Sequence, residues 1–569
     1  MQVLSQDMSS ADTGAAITTA GYTAQRMPIE AESINDAERI IDKSHLKPTA
    51  PIAILPLEII VEIFTHCARL YCGSLSGPYK WIVITHVCAQ WRAIALACPK
   101  LWCNIFVARR QDWLVELLRR SKQMPLTVTA DFASRAWKEV GRKQITFEMV
   151  AKEMARIKSL NIHASRPIAR SLLKTLNGPM PLLQTLVICG PEWLLDRSRV
   201  QIPTGTSLPI LLHSGHSTGL QRLDIRFYPI RWKSLVSLSL KHLTVRSIGE
   251  AAQTSLSDVL KAAESMPLLE TLDLEDVIVP DSATFTAPNR TAVLPLLRSL
   301  RLVADFRDCT YILYKLSFPN LNALTLCSLF PSLEALRDLA TCLIARLPFT
   351  AELSEFSIHG SGFDAASPGR SLDSSHGMGG VTQNIEVKRI QITSRTEMFT
   401  ARSFTDLCEV FPVKQVTTLN VDDAVYNGSN DWLRVLPLMK KVKHMRVSGT
   451  LGAETMLHML MPRPRTNPTV RKPKCCFRRL RTLSLGGVLL RESIYKEGIS
   501  DDLVELLRDC LMQRYESGAK ISDVHLIRCI NVRQAEVDLL REIAVSVFWD
   551  GIVIVHGGEE DDSEDDSDL

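Results

Sequence analysis

Nowhere in the 569-residue sequence do about 18 consecutive apolar residues occur, and residues 1–22 contain no basic residue leading into a sustained apolar run. These two absences predict a chain that neither spans a membrane nor is secreted, hence an intracellular one, cytoplasmic and/or nuclear. Paired Cys-x-x-Cys spacings are missing as well. The 14 cysteines keep apolar company, as in Val87-Cys88 and Ile188-Cys189, which suits buried free thiols in a reducing compartment better than a disulfide framework. His66, Cys67, Cys72, His86 and Cys88 are close in sequence, but most lie on apolar helical runs and lack ligand spacing, so no metal site is assigned. Equally absent are a Gly-x-x-x-x-Gly-Lys phosphate loop, a Gly-x-Ser-x-Gly elbow and a His-Glu-x-x-His helix. No catalytic, cofactor-binding or metal residue is therefore proposed, no cofactor is expected, and the chain is not expected to be an enzyme.

What is present is an ordinary globular composition, 46% apolar and 22% charged, enough to bury a real core. The length fits several domains, or one small module joined to one long repeat array. A formal net charge of +4 conceals an asymmetry: Glu559 to Asp568 contributes eight acidic residues and no basic one, leaving about +12 on the remainder. Such a like-charged block repels itself and stays solvated, so residues 557–569 are read as a disordered acidic tail, with a specific acidic docking motif as the lesser alternative. Residues 1–50 read as a flexible leader with a short helix, and residues 51–106 as a compact apolar module. Residues 107–155 supply connecting helices and a strand, including a helical pattern over Gln111 to Lys122.

From residue 156 to 556 the pattern repeats. Pro181-Leu-Leu-Gln-Thr-Leu-Val-Ile188, Pro267-Leu-Leu-Glu-Thr-Leu-Asp-Leu274, Pro295-Leu-Leu-Arg-Ser-Leu-Arg-Leu302 and Pro319-Asn-Leu-Asn-Ala-Leu-Thr-Leu326 align without a gap. The same apolar-x-x-apolar-x-apolar core recurs at Ile157/Leu160/Ile162, Leu220/Leu223/Ile225, Leu235/Leu238/Leu240, Leu353/Phe356/Ile358, Val387/Ile390/Ile392, Val416/Leu419/Val421, Val442/Met445/Val447, Leu480/Leu483/Leu485 and Ile521/Val524/Leu526. The spacing is irregular, from 15 residues (Leu223 to Leu238) to 41 (Leu483 to Val524). Amphipathic stretches such as Leu256 to Met266, Leu333 to Leu347, Phe404 to Phe411 and Leu503 to Leu511 supply return legs.

Each unit resembles a leucine-rich repeat. Two apolar residues two apart point to the same side of a strand, and one unit cannot bury that side alone. Stacking closes it and leaves the opposite side free to bind, which predicts an irregular α/β solenoid, a horseshoe with one parallel strand per repeat. Strands of an ordinary α/β domain are the competing reading. Two insertions are expected. The first, near 359–380, is rich in Gly and Ser and is read as a mobile loop. The second, near 461–481, carries eight basic residues among four prolines and is read as a solvated loop, with a nuclear-import signal or polyanion contact as the other option.

Between residues 54 and 102 the chain reads Ile54-Leu-Pro-Leu-Glu-Ile-Ile-Val-Glu-Ile-Phe64, then Val87-Cys-Ala-Gln-Trp-Arg-Ala-Ile-Ala95, then Pro99-Lys-Leu-Trp102. These three elements in this order resemble the F-box, whose pattern is Leu-Pro-x-Glu-Ile and Ile-Phe, then Val-Cys-x-x-Trp-Arg-x-Ile-Ala, then Pro-x-Leu-Trp. The stretch between the first two is some eight residues longer than in the compact pattern, similar to F-box-like proteins of mushroom-forming fungi. Independently of any resemblance, the apolar residues here surround both helices rather than forming one stripe, and about 50 residues cannot bury them all. A partner is therefore expected.

The resemblance implies a small all-α F-box module whose partner is the S-phase-kinase-associated adaptor protein of a cullin ubiquitin ligase. It implies adaptor docking through Leu55, Pro56, Ile59, Ile63, Val87, Cys88, Trp91 and Arg92, with Leu57, Ile60, Phe64, Ile94 and Trp102 mainly internal. All of them being core of one bundle is the bland alternative. On the repeats, Thr271, Asp273, Ser299, Arg301, Ala323 and Thr325 are the candidate concave, target-binding residues. The function expected is substrate recognition for ubiquitylation, with an unknown protein target and neither membrane nor nucleic acid as partner. The alternative is a leucine-rich protein-binding scaffold with a degenerate F-box and no ligase role.

Overall fold

The computed structural model describes residues 55–71, 77–108, 110–132, 137–190, 219–230, 232–235, 239–246, 253–278, 291–328, 332–368, 388–395, 401–422, 434–462, 475–491 and 503–552. The expected leader helix, the acidic tail and residues 463–474 of the basic insertion lie outside them. The chain divides into two compact units, Met1–Trp102 and Cys103–Leu569.

In the first unit, helix α1 (Leu57–Tyr71) is followed by a 3-10 segment (Lys80–His86), helix α2 (Ala89–Ala97) and a closing 3-10 turn (Pro99–Trp102). Pro56 caps α1 with its carbonyl, which accepts from the Ile60 amide at 3.2 Å, so the missing proline N–H costs nothing there. Cys88 caps α2, its sulfur accepting from the Trp91 amide at 3.4 Å. The core is aromatic. Phe64 meets Trp91 edge-on at 5.1 Å between ring centroids, and Trp81 meets Trp102 in the same way at 5.1 Å. The Trp102 indole N–H donates to the Ala95 carbonyl at 2.9 Å, so its one polar atom is satisfied inside.

The second unit is mixed α/β, built on a 17-stranded, mostly parallel sheet. Its strands begin at Asn104, before the repeats read from the sequence. They are β1 (Asn104–Phe106), β2 (Leu126–Asp131), β3 (Ile157–His163), β4 (Thr185–Cys189), β5 (Arg222–Arg226), β6 (His242–Arg246) and β7 (Thr271–Glu275). A short strand β8 (Ala292–Val293) pairs apart from the sheet with β10 (Leu316–Ser317). The sheet continues with β9 (Ser299–Val303), β11 (Ala323–Ser328), β12 (Glu355–His359), β13 (Gly362–Ala366), β14 (Arg389–Ser394), β15 (Thr418–Asp422), β16 (His444–Ser448), β17 (Thr482–Gly486), β18 (Asp523–Ile527) and β19 (Ser546–Trp549).

Pairing follows chain order from β1 to β7, then β9 and β11, and again from β15 to β19. Between these runs the order is β11–β14–β13–β12–β15, and every junction is parallel except the two that β13 makes. In all the repeats the paired apolar positions face inward: Leu272 and Leu274, Leu300 and Leu302, Leu324 and Leu326 are at most 3% exposed. Each such side chain contributes roughly 1.5–3 kcal/mol by leaving water. Return helices form as expected at Leu256–Glu264, Leu333–Arg346, Ala401–Val410 and Leu503–Glu516. Ser255 and Ser332 cap the first two, accepting from the amides of Asp258 at 3.3 Å and Ala335 at 3.2 Å.

A recurring turn closes several strands. The residue directly after β5, β7, β17 and β18 (Phe227, Asp276, Gly487 and Arg528) has φ of 65°, 53°, 62° and 51°. Three of the four are not glycine, and of these only Asp276 is a residue type enriched at positive φ.

Two sequence expectations are corrected. The unit at Leu235/Leu238/Leu240 is out of register: the strand is His242–Arg246, whose motif is Leu240/Leu243/Val245, while Leu235 ends a 3-10 turn. Leucines at both offsets satisfy the same spacing, and pairing of Leu243 with Leu223 decides between them. The Gly/Ser-rich insertion is not wholly a loop. Gly360-Ser361 is a two-residue hairpin turn, and β13 after it lies antiparallel in the sheet with Phe363 and Ala365 fully buried; residues 369–380 lie outside the described residues.

Candidate functional site

Two surfaces emerge, one on each unit. On α1 the inner face carries Ile60, Phe64 and Ala68, four residues apart and all buried. The outer face carries Ile59, Ile63 and Leu70, which fall on one line at 3.6 residues per turn. These three are 48%, 36% and 69% exposed. An isoleucine-leucine stripe facing water is an apolar patch, and covering it would gain part of the roughly 1.5–3 kcal/mol that full burial of each such side chain is worth.

The sequence-predicted docking residues fall mostly on the outside of this unit. Pro56, Ile59, Ile63, Val87, Cys88 and Arg92 are exposed, and Leu55 and Trp91 are half-buried. Trp91 has a double attachment, since its ring also packs on Phe64. Ile60, Phe64, Ile94 and Trp102 are internal as expected. Leu57 is not: it is 48% exposed. It lies two turns before Phe64 on the same face, but in the first turn of α1, where the core has already ended. Leu70, Val83 and Leu96 are exposed as well; their apolar type alone does not separate outside from inside.

The second surface is the side of the sheet opposite the inward leucines. Thr271, Ser299 and Ala323 form one register row, and Asp273, Arg301 and Thr325 the next. All six are half-buried. Two of them are engaged with each other, since Arg301 Nη1 donates to Asp273 Oδ1 at 2.9 Å and to Glu275 Oε2 at 2.9 Å. Arg246 also pairs with Asp273, and Arg395 with Glu275 at 2.8 Å. One strand further, Arg226 holds Asp224 through two hydrogen bonds at 2.9 and 2.8 Å. Thr271 shares a hydrogen bond of 2.9 Å with His242.

This ion-pair network perturbs its members. Burial pushes the Glu275 carboxyl up, but hydrogen bonds from Arg395 and Arg301 outweigh that and hold it below the ordinary carboxylate value. For Arg301, burial works against the charge while Asp273 and Glu275 favour it, and the balance raises its pKa. Burial and the nearby Arg222 lower the His242 pKa. The sequence motif missed Glu275, Arg246 and Arg395, because they lie beyond the last apolar position of their units.

Among the described residues, no three His, Cys, Asp or Glu side chains are placed to hold a metal ion. Among the described residues, too, no helix is long and apolar enough to cross a membrane. No protein-family model matches the chain, and no curated protein matches it at a significant level.

Proposed function

We propose that the chain is a substrate-recognition adaptor of a cullin-type ubiquitin ligase, docking through an F-box on the S-phase-kinase-associated adaptor and holding a target protein on a leucine-rich-repeat-like solenoid. The observation that carries the reading is the doubly apolar α1, whose Ile60/Phe64/Ala68 side is used inside while Ile59/Ile63/Leu70 face water. The order of the three sequence elements from Leu55 to Trp102 supports an F-box in particular. The repeated apolar core on parallel strands supports the solenoid, and the open side of the sheet gives a long row of side chains for a target. The chain itself does no chemistry in this scheme. Its contribution is proximity, bringing a target lysine near the charged conjugating enzyme and raising its effective concentration.

The test is co-expression with the adaptor. The native chain retains it through purification, and a Pro56→Ala, Arg92→Ala variant, altered at two exposed positions, loses it. Loss of adaptor from the native chain would favour the scaffold without a ligase role.

A further inference from the structure

Cations on and beside the sheet differ in how they are satisfied. On β5 to β9, Arg226, Arg246 and Arg301 each hold a carboxylate. On β16, β17 and the segments leading into them, Lys440, Lys441, Lys443, Arg446, Arg478, Arg479 and Arg481 are all exposed, and none has a carboxylate partner among the described residues. They are neighbours by backbone pairing: the Arg481 amide donates to the Lys443 carbonyl at 2.8 Å, and Arg446 lies beside Ser484 in register. Among the described residues, side-chain contacts in the patch go to uncharged partners, Lys441 to Gln415 at 2.7 Å and His444 to Thr482 at 3.2 Å. Among the described residues two acids flank this part of the register, Asp523 beside Thr482 on β18 and Asp422 beside Ser448 on β15, against seven cations.

We propose that this basic face binds an acidic segment, and that the occupant is the chain's own residues 559–568. Charge complementarity is the first support, since that segment has eight carboxylates and no cation. Reach is the second. β17 and β16 lie two and three strands from β19, about 10–15 Å at 4.8 Å per strand, and a five-residue strand is about 17 Å long. From Ile552, where the described chain ends, seven residues span up to about 23 Å and sixteen up to about 53 Å, which covers that distance. An intramolecular ligand on so short a connection has an effective concentration of about millimolar, so even a weak contact is occupied. The inference stands apart from the ligase reading.

The test uses a fluorescein-labelled synthetic peptide of residues 557–569 and fluorescence anisotropy. Its targets are the full native chain, the full chain with the eight tail acids changed to their amides, and the amide-tail chain carrying Lys443→Glu, Arg446→Glu and Arg481→Glu. The peptide should bind the amide-tail chain at least about tenfold more tightly than the native chain, more weakly as salt rises, and not at all after the triple reversal. Circular dichroism confirms folding of that variant, and Lys441→Glu with Arg479→Glu provides a second, independent reversal. Equal affinity for native and amide-tail chains, no binding to either, or binding indifferent to both reversals overturns the proposal. A native dimer that becomes monomeric with the amide tail overturns the intramolecular assignment in favour of a second copy.

Discussion

Replacing Glu275 by Gln removes one charge from the open side of the sheet and keeps the side chain's shape. The Glu275 carboxylate is one-tenth exposed and serves Arg301 at 2.9 Å and Arg395 at 2.8 Å, with Arg246 at 3.8 Å. Each charge-assisted bond is worth about 1.5–3 kcal/mol against about 0.5–1.5 kcal/mol for a neutral one. The guanidiniums are about a third exposed and recover part of their hydration, so the net loss is about 2 kcal/mol rather than the 3–5 kcal/mol, roughly, of a fully buried pair. Urea unfolding at pH 7 reads this as a lower midpoint with unchanged slope. The sign with pH follows from the depressed carboxyl. Its stabilisation is complete above the ordinary value of 4.5 and is lost as pH falls through the lower folded value. Native and Glu275→Gln midpoints therefore converge in acid. A difference under about 0.5 kcal/mol at pH 7, or one that persists unchanged once the carboxyl is protonated, would refute the argument.

Arg514 is fully buried and donates to the carbonyls of Leu460 at 3.0 Å, Cys476 at 2.9 Å and Phe477 at 2.9 Å; Arg514→Met strands three acceptors and should cost about 2–5 kcal/mol in urea unfolding. Gly362→Ala places a methyl 2.2 Å from the Ile392 carbonyl oxygen and 2.8 Å from Thr393 Cα, so β13 must shift; a loss of about 1–3 kcal/mol and faster amide exchange at Phe363 and Ala365 are expected. Burial pushes the thiols of Cys342 and Cys529 up to about 11 and that of Cys510 up to about 12. Alkylation of the folded chain at pH 8, read by mass spectrometry, should label exposed Cys88 and spare these three until denaturant is added.

Much of the fold was legible because a strand that buries one side must repeat an apolar residue every second position, and stacking forces the same spacing on every unit. Leu269/Leu272/Leu274 and Leu297/Leu300/Leu302 carry that signal without ambiguity. It fails where leucine is abundant in two registers, as at Leu235 to Val245, since only pairing with Leu223 separates them. It fails also at β13, where glycine and serine suggest a loop although Gly360-Ser361 between Phe356/Ile358 and Phe363/Ala365 has the form of a hairpin. On the first unit, helical periodicity separates inner Ile60 and Phe64 from outer Ile59 and Ile63. It cannot place Leu57, whose exposure depends on where the core stops. The ion pairs around Glu275 join residues up to 120 positions apart, Arg395 being the farthest, and no local pattern encodes that meeting.

The central claim is that the outer stripe of α1 is covered by a separate adaptor subunit. Calorimetric titration of purified adaptor into the native chain and into an Ile59→Asp, Ile63→Asp variant tests it directly, because both positions face water and leave the inner core intact. The account predicts micromolar or tighter binding by the native chain and a loss of at least about a hundredfold, near 2.7 kcal/mol, in the folded variant. No binding by the native chain, or equal binding by both, would contradict it.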